Sequence, residues 1–226
     1  MHTFNRPVFE LIGEYESGGI TAIYGNAASG KTTICLLAAL SCTSAGGKVI
    51  FIDTENSFNT DRLKQLYFGD INKIMDKIFL MQPKTFEEQN SAILDAKKLC
   101  EKESIKLVIV DTIGNHYRNK VNENHKEVNT LMAEHMAELI RIARDMNKIV
   151  LITNQVSSKV EGNDEVKMVG GKFIEKMAKI IIELKNDDEK RYAKLIKFKV
   201  EEEEKPNPNL NKKIWFKIKE KGLFLV

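Results

Sequence analysis

Cysteine is scarce in this chain, and the three present, Cys35, Cys42 and Cys100, have no spacing that would build a zinc site. Cys35 and Cys42 fall within an apolar helical pattern, where a buried, reduced thiol is the expected state. Long apolar runs are missing too. None approaches the roughly eighteen residues of a membrane span, and Met1–Pro7 has no apolar signal region. The expectation is a cytoplasmic protein without a membrane partner. Neither charge sign is in marked excess. Lys and Arg number 35 against 32 Asp and Glu, a net charge of +3. That is too little to imply a polyanion partner by itself, so any nucleic-acid contact must come from local clustering. Internal repeats are absent, as is any linker long enough to divide the 226 residues. A hydrophobic share of 42% with 30% charged residues is ordinary for a globular protein able to form one sizeable core.

What is present is an alternation of short apolar runs with helical patterns. Ile20–Tyr24, Val49–Asp53, Ile78–Met81, Leu107–Val110 and Ile149–Thr153 read as fully buried strands of the parallel type. Helical periodicity follows the first strand at 33–40 and separates the others at 60–67, 85–103 and 125–146. This order predicts an α/β fold with a mostly parallel sheet covered on both faces. After Asn154 the pattern changes. A polar stretch, 157–171, leads through a short helix and the run Ile180–Ile182 to Leu195–Val200 and Ile214–Lys219, which alternate with period two like antiparallel strands. Glu201–Glu204 with Pro206 and Pro208 reads as the turn between them. The expected organisation is one domain over 1–226: a lead-in with turns at 1–19, a nucleotide-binding core at 20–185, and C-terminal antiparallel strands at 186–226.

Gly25-Asn26-Ala27-Ala28-Ser29-Gly30-Lys31-Thr32 fits the phosphate-binding loop Gly-x-x-x-x-Gly-Lys-[Ser/Thr], between a strand and a helix as that loop requires. Backbone N–H groups and the helix dipole then converge where phosphate oxygens fit, and Thr33 continues the row. Lys31 would reach the β- and γ-phosphates and Thr32 would place its hydroxyl on Mg²⁺. Leu107–Val110 ends in Asp111, which the sheet places at its carboxyl edge beside Thr32 as a second Mg²⁺ group. Glu55, just past the strand ending at Asp53, can orient or deprotonate a water there. Gln155 donates and accepts at once, which suits a sensor of the γ-phosphate. The cofactors implied are ATP and Mg²⁺.

Asp53–Leu63 and Thr153-Asn154-Gln155-Val156, with the later Gly170-Gly171, resemble segments of the RecA-type recombinases of archaea and eukaryotes. The resemblance runs from about Leu11 onward. It implies Glu55 as the catalytic carboxylate, Asp111 as the magnesium-linked residue, Gln155 as the γ-phosphate sensor, and DNA-binding loops after Asp111 and Gln155. Three departures narrow it. The chain begins almost at the core, the second loop is short for a strand-exchange enzyme, and Ala28 stands where a third glycine is frequent. A family of core-only archaeal paralogs is similar in all three respects. That likeness implies an accessory role in recombinational repair: ATP and DNA binding, feeble hydrolysis and no strand exchange. The implied partners are single-stranded DNA without sequence preference, branched DNA, the main recombinase or other repair proteins, and further copies of the chain.

The candidate DNA contacts are His116, Tyr117, Arg118 and Lys120 in the first loop and Lys159 and Lys172 around the second, since cations with an aromatic suit phosphate contact and base stacking. Interleaved Glu123, Glu161, Asp164 and Glu165 fit solvated polar loops equally well. The lysines of 190–219 fit a second DNA surface or the guarding of an exposed edge strand. Phe4 and Phe9 could enter a neighbouring protomer or pack on their own core, and the family's Phe-x-x-Ala peptide is absent. His135, on an apolar helical stripe, reads as a packing residue. Two other functions share the loop motif. A small-molecule phosphotransferase would need a cluster of lid arginines, which 157–171 lacks, and a KaiC-like signalling ATPase would act on a protein.

Overall fold

The computed structural model describes residues 6–101, 104–121, 125–156, 168–187, 190–199 and 207–226. Nine strands form one sheet in the order β3-β2-β4-β5-β1-β6-β7-β8-β9. They are β1 (Ile20–Gly25), β2 (Lys48–Asp53), β3 (Ile78–Met81), β4 (Ile105–Asp111), β5 (Ile149–Asn154), β6 (Ile180–Asp187), β7 (Lys190–Phe198), β8 (Lys213–Lys219) and β9 (Gly222–Leu225). The first six run parallel, and β7, β8 and β9 continue antiparallel from β6. The α/β architecture read from the sequence is therefore the one found.

The helices are α1 (Arg6–Ile12), α2 (Lys31–Ser44), α3 (Thr60–Leu66), α4 (Ile71–Met75), α5 (Phe86–Cys100), α6 (Asn115–Lys120), α7 (His125–Arg144) and α8 (Gly171–Met177). They lie in two layers because β1, β2, β4 and β5 are apolar on both faces and each face must be covered. Helices α1 to α4 share a core with Phe51, Ile109 and Leu151, and α5 to α8 share the other with Ile52, Val110 and Ile152.

Several sequence expectations change. The lead-in is not only turns, since α1 spans most of it and buries Val8 and Leu11. Ile78–Met81 is not fully buried. It is an outer strand of the sheet, with Phe79 and Leu80 each more than a third exposed. The first loop after Asp111 contains α6 rather than open chain. Strand β8 is internal to the sheet, and the edge belongs to β9, which carries no lysine. The acidic run at 201–204 and Phe4 lie outside the described residues. No helix among the described residues is long and apolar enough to cross a membrane.

Candidate functional site

The parallel strands deliver Gly25, Asp53, Asp111 and Asn154 to one edge of the sheet, all at carboxyl ends. Side chains cap the N-termini of α3, α4 and α5: Asn59 accepts from Asp61 and Arg62 N–H, Asp70 from Asn72, and Thr85 from Glu88. Helix α2 has no such cap, so its first-turn amides are not taken up by a side chain. Gly30 leads into it at φ 105°, and a Cβ there would sit 2.9 Å from Ile218 Cδ1. Ala28 also takes a left-handed conformation, φ 58°. Arg191 Nε donates to the Ala28 carbonyl at 3.1 Å and Asn186 Nδ2 to that of Ala27 at 3.5 Å, holding the outer turn from β6 and β7.

Lys31 is buried and turns inward, donating to the carbonyls of Gly25 at 3.0 Å and Asn26 at 2.9 Å. Burial lowers its pKa, opposed by the nearby carboxyls of Asp111 and Glu55. Ser29 Oγ is buried without a partner. An orphaned hydroxyl, an uncapped helix start and a buried ammonium on one short loop fit a polyanionic group. Asn26 and Ala27 are exposed at the loop's tip and Thr33 is half-buried at the third position of α2.

Thr32 Oγ1 donates to Asp111 Oδ2 at 2.7 Å, while Thr153 Oγ1 donates to Oδ1. Burial raises the Asp111 pKa, and the bonds from Thr153 and Thr32 pull it back. Thr32 and Asp111 together form an oxygen donor set of the kind Mg²⁺ takes. Asp53, fully buried beside them, accepts from Ser57 N–H at 3.0 Å and Phe58 N–H at 2.9 Å, which turns the chain so that Glu55 emerges at the rim.

Glu55 is exposed, and its Oε1 accepts from Thr112 Oγ1 at 2.9 Å and Gln155 Nε2 at 2.5 Å. Gln155 Oε1 in turn accepts from Arg118 Nη1 at 2.8 Å. Glu55, Gln155 and Arg118 thus form one chain of hydrogen bonds between the ends of β2 and β5 and helix α6. Neighbouring Asn154 is buried and donates to the Val169 carbonyl at 2.6 Å, tying the end of β5 to the entry of α8. Gly114 allows that approach, since a Cβ there would lie 2.3 Å from Asn154 Oδ1.

The candidate DNA residues separate. His116 and Tyr117 are buried: the His116 ring bonds to the Pro83 carbonyl at 3.0 Å, and Tyr117 Oη donates to Asn129 Oδ1 at 2.8 Å. An aromatic offered on an open loop is thereby corrected, because α6 buries both rings, Tyr117 beside Phe86 and His116 against the Pro83 carbonyl. Arg118 is exposed, and Lys120 pairs with Glu87. Lys172 is exposed on α8, and Lys159 lies outside the described residues. His135 is fully buried against Phe86, as its place on an apolar stripe suggested.

Sequence reasoning missed Arg191, Asn186, Thr112 and the Arg118–Gln155 bond. Thr112 was open to discovery, since it follows Asp111 directly. The contact between Arg191 and the phosphate loop joins residues 163 apart and leaves no local signal.

Comparison with known proteins bears on this arrangement. The Rad51 family model matches residues 8–223. A DNA repair and recombination protein RadB from Methanococcoides burtonii is 38% identical over 196 residues, 85% of this chain and 86% of that protein. The protein of the same name from Methanococcus maripaludis is 34% identical over 220 residues, covering 96% and 95%. That from Archaeoglobus fulgidus is 36% identical over 189 residues, 83% of each. The chain belongs to the Rad51 family and, within it, to the RadB group.

Proposed function

We propose that this protein is an ATP- and DNA-binding accessory factor of homologous recombination and repair, with weak ATP hydrolysis and no strand exchange of its own. Its relatives are named as DNA repair and recombination proteins. The observation that carries the nucleotide half is the convergence of an uncapped helix start, the inward-turned Lys31 and the Thr32–Asp111 pair on one sheet edge.

Residues 25–33 would hold the triphosphate, with Lys31 exchanging its two backbone carbonyls for phosphate oxygens. Thr32 and Asp111 would hold Mg²⁺, which when bound neutralises phosphate charge. Glu55 orients a water and accepts its proton. Thr112 and Gln155 both hold its Oε1, which fixes the carboxylate and leaves Oε2 to take the water. Gln155 links nucleotide state to α6 through Arg118 and to the second loop through the chain that follows it. DNA contact falls to Arg118, Lys120 and Lys172, and to Lys159 of the segment outside the described residues. The protein acts as one ATPase domain in the cytoplasm, beside the main recombinase.

Replacing the central cation tests the reading. Lys31→Ala is expected to weaken Mg-ATP binding at least about tenfold in titration calorimetry, the loss of a charge-assisted contact. Unchanged affinity would overturn the nucleotide assignment. Anisotropy of a labelled single-stranded oligonucleotide, with and without Mg-ATP, tests the DNA half: affinity should fall with salt and shift with nucleotide. No binding in either state would overturn it.

A further inference from the structure

Strands β8 and β9 and the first part of β7 are covered on one face only, while Ile196, farther along β7, packs into the core of α5 to α8. Ala193, Leu195, Phe216 and Leu223 point into the core shared with α1 and α2, and α1 is the helix packed beneath these strands. On the other side, α5 and α7 lie over β1, β2, β4 and β5 and reach neither β8 nor β9 to a comparable extent. The residues between the buried ones therefore face outward, by the period of two. Tyr192 and Trp215 sit opposite each other in register, rings 5.1 Å apart and inclined at 61°. Lys213 Nζ stands 4.6 Å from the Tyr192 ring, and Lys194 pairs with Lys213 across the strands. Toward the edge, Phe224 is 41% exposed with Lys219 Nζ 5.3 Å from its ring. A carboxylate stands at the inner margin, Glu183, but it is engaged by Lys185 at 3.4 Å and by Tyr24 Oη at 3.3 Å.

We propose that this face is a binding platform for single-stranded DNA, with bases stacked on Tyr192, Trp215 and Phe224 and phosphates held by Lys194, Lys213 and Lys219. Guarding a sheet edge does not explain these lysines, because β8 is an internal strand and the edge strand has none. Three aromatic rings spaced across three strands, with ammonium groups interleaved, match the two repeating features of a single strand: a flat base and a charge per nucleotide. Such a surface is tolerant of sequence. DNA is the nucleic acid inferred because the relatives are named for DNA repair. The platform is separate from the contacts proposed on α6 and α8 and does not depend on nucleotide binding.

Trp215 is the only tryptophan of the chain, so its emission reports this face alone. Titration with oligodeoxythymidylate should quench it saturably, and less so as salt rises. Lys213→Glu with Lys219→Glu, both at exposed positions, should weaken binding at least about tenfold and lower the slope of log affinity against log salt by about 1.4, the loss of two phosphate contacts. Trp215→Ala should also weaken binding, whereas Trp215→Phe should keep the affinity, read by anisotropy, and abolish the signal. Binding by anisotropy without quenching, or charge reversal that leaves affinity unchanged, would overturn the platform. If Arg118→Ala then removed the binding, the DNA would sit on α6 and the proposed function would stand. Absence of DNA binding by either measure would overturn both DNA assignments and leave the nucleotide site to its own test.

Discussion

Glu55 shows how little room a single oxygen leaves. Its Oε1 meets the Thr112 hydroxyl and the Gln155 amide together. A glutamine at position 55 keeps the size and one acceptor but cannot take a proton from water. Glu55→Gln is expected to lower phosphate release from ATP by about 10²-fold or more, the usual contribution of a positioned base, while Mg-ATP affinity stays within about twofold. Turnover at the parent rate would place the water-activating carboxylate elsewhere. The residues of this corner were legible because each follows an apolar strand directly: Lys31 and Thr32 through the loop motif, Asp111 and Glu55 through strand ends. The partners of Gln155 were not. His116 and Tyr117 misled for a physical reason: six residues of mixed polarity carry too little periodicity to reveal a short helix, and only that helix decides which side chains turn inward.

Among elements, α7 was the easiest to read and carries a titration of its own. Its stripe from Val128 to Ile142 is buried, with His135 in the middle at no exposure. Burial pushes the His135 pKa down to about 4, and its Nε2 has no partner. The unfolded chain binds a proton near pH 6.5, so the folded state is favoured fully above that value and loses ground as pH falls toward 4. The loss at pH 4 is on the order of 3 kcal/mol. Urea unfolding between pH 7 and 4 should show it, and His135→Leu should flatten that part of the profile. An unchanged profile in the variant would assign the pH dependence to other groups. Strand β3 and helix α1 were harder. An apolar tetrapeptide looks the same at the edge of a sheet as at its centre, and seven residues of helix fall below the length at which periodicity speaks.

At the scale of the molecule, the first helix and the last strands hold each other. Asn209 Nδ2 donates to the Leu11 carbonyl at 3.1 Å, and α1 packs beneath β7, β8 and β9. Leu11→Ala, at a fully buried position, is expected to cost about 2–5 kcal/mol in urea unfolding. Because β8 lies against the phosphate loop, Mg-ATP affinity should fall in the same variant. A loss of stability with nucleotide affinity untouched would mean that the two ends are joined without the site sensing it. The parallel order of the core was legible from strand and helix alternation. The contact between C-terminal strands and phosphate loop was not, since it depends on how far the antiparallel strands curl.

That contact has a consequence in time. A ribosome has joined the whole phosphate-loop motif by Thr32, long before it reaches β8. Yet Gly30 rests on Ile218 and Phe216, and the first strand is hemmed by β5 and β6. The nascent protein therefore carries its signature early and acquires the seat beneath it only once β8 has been made, so a product cut short before that strand would display the motif without the pocket.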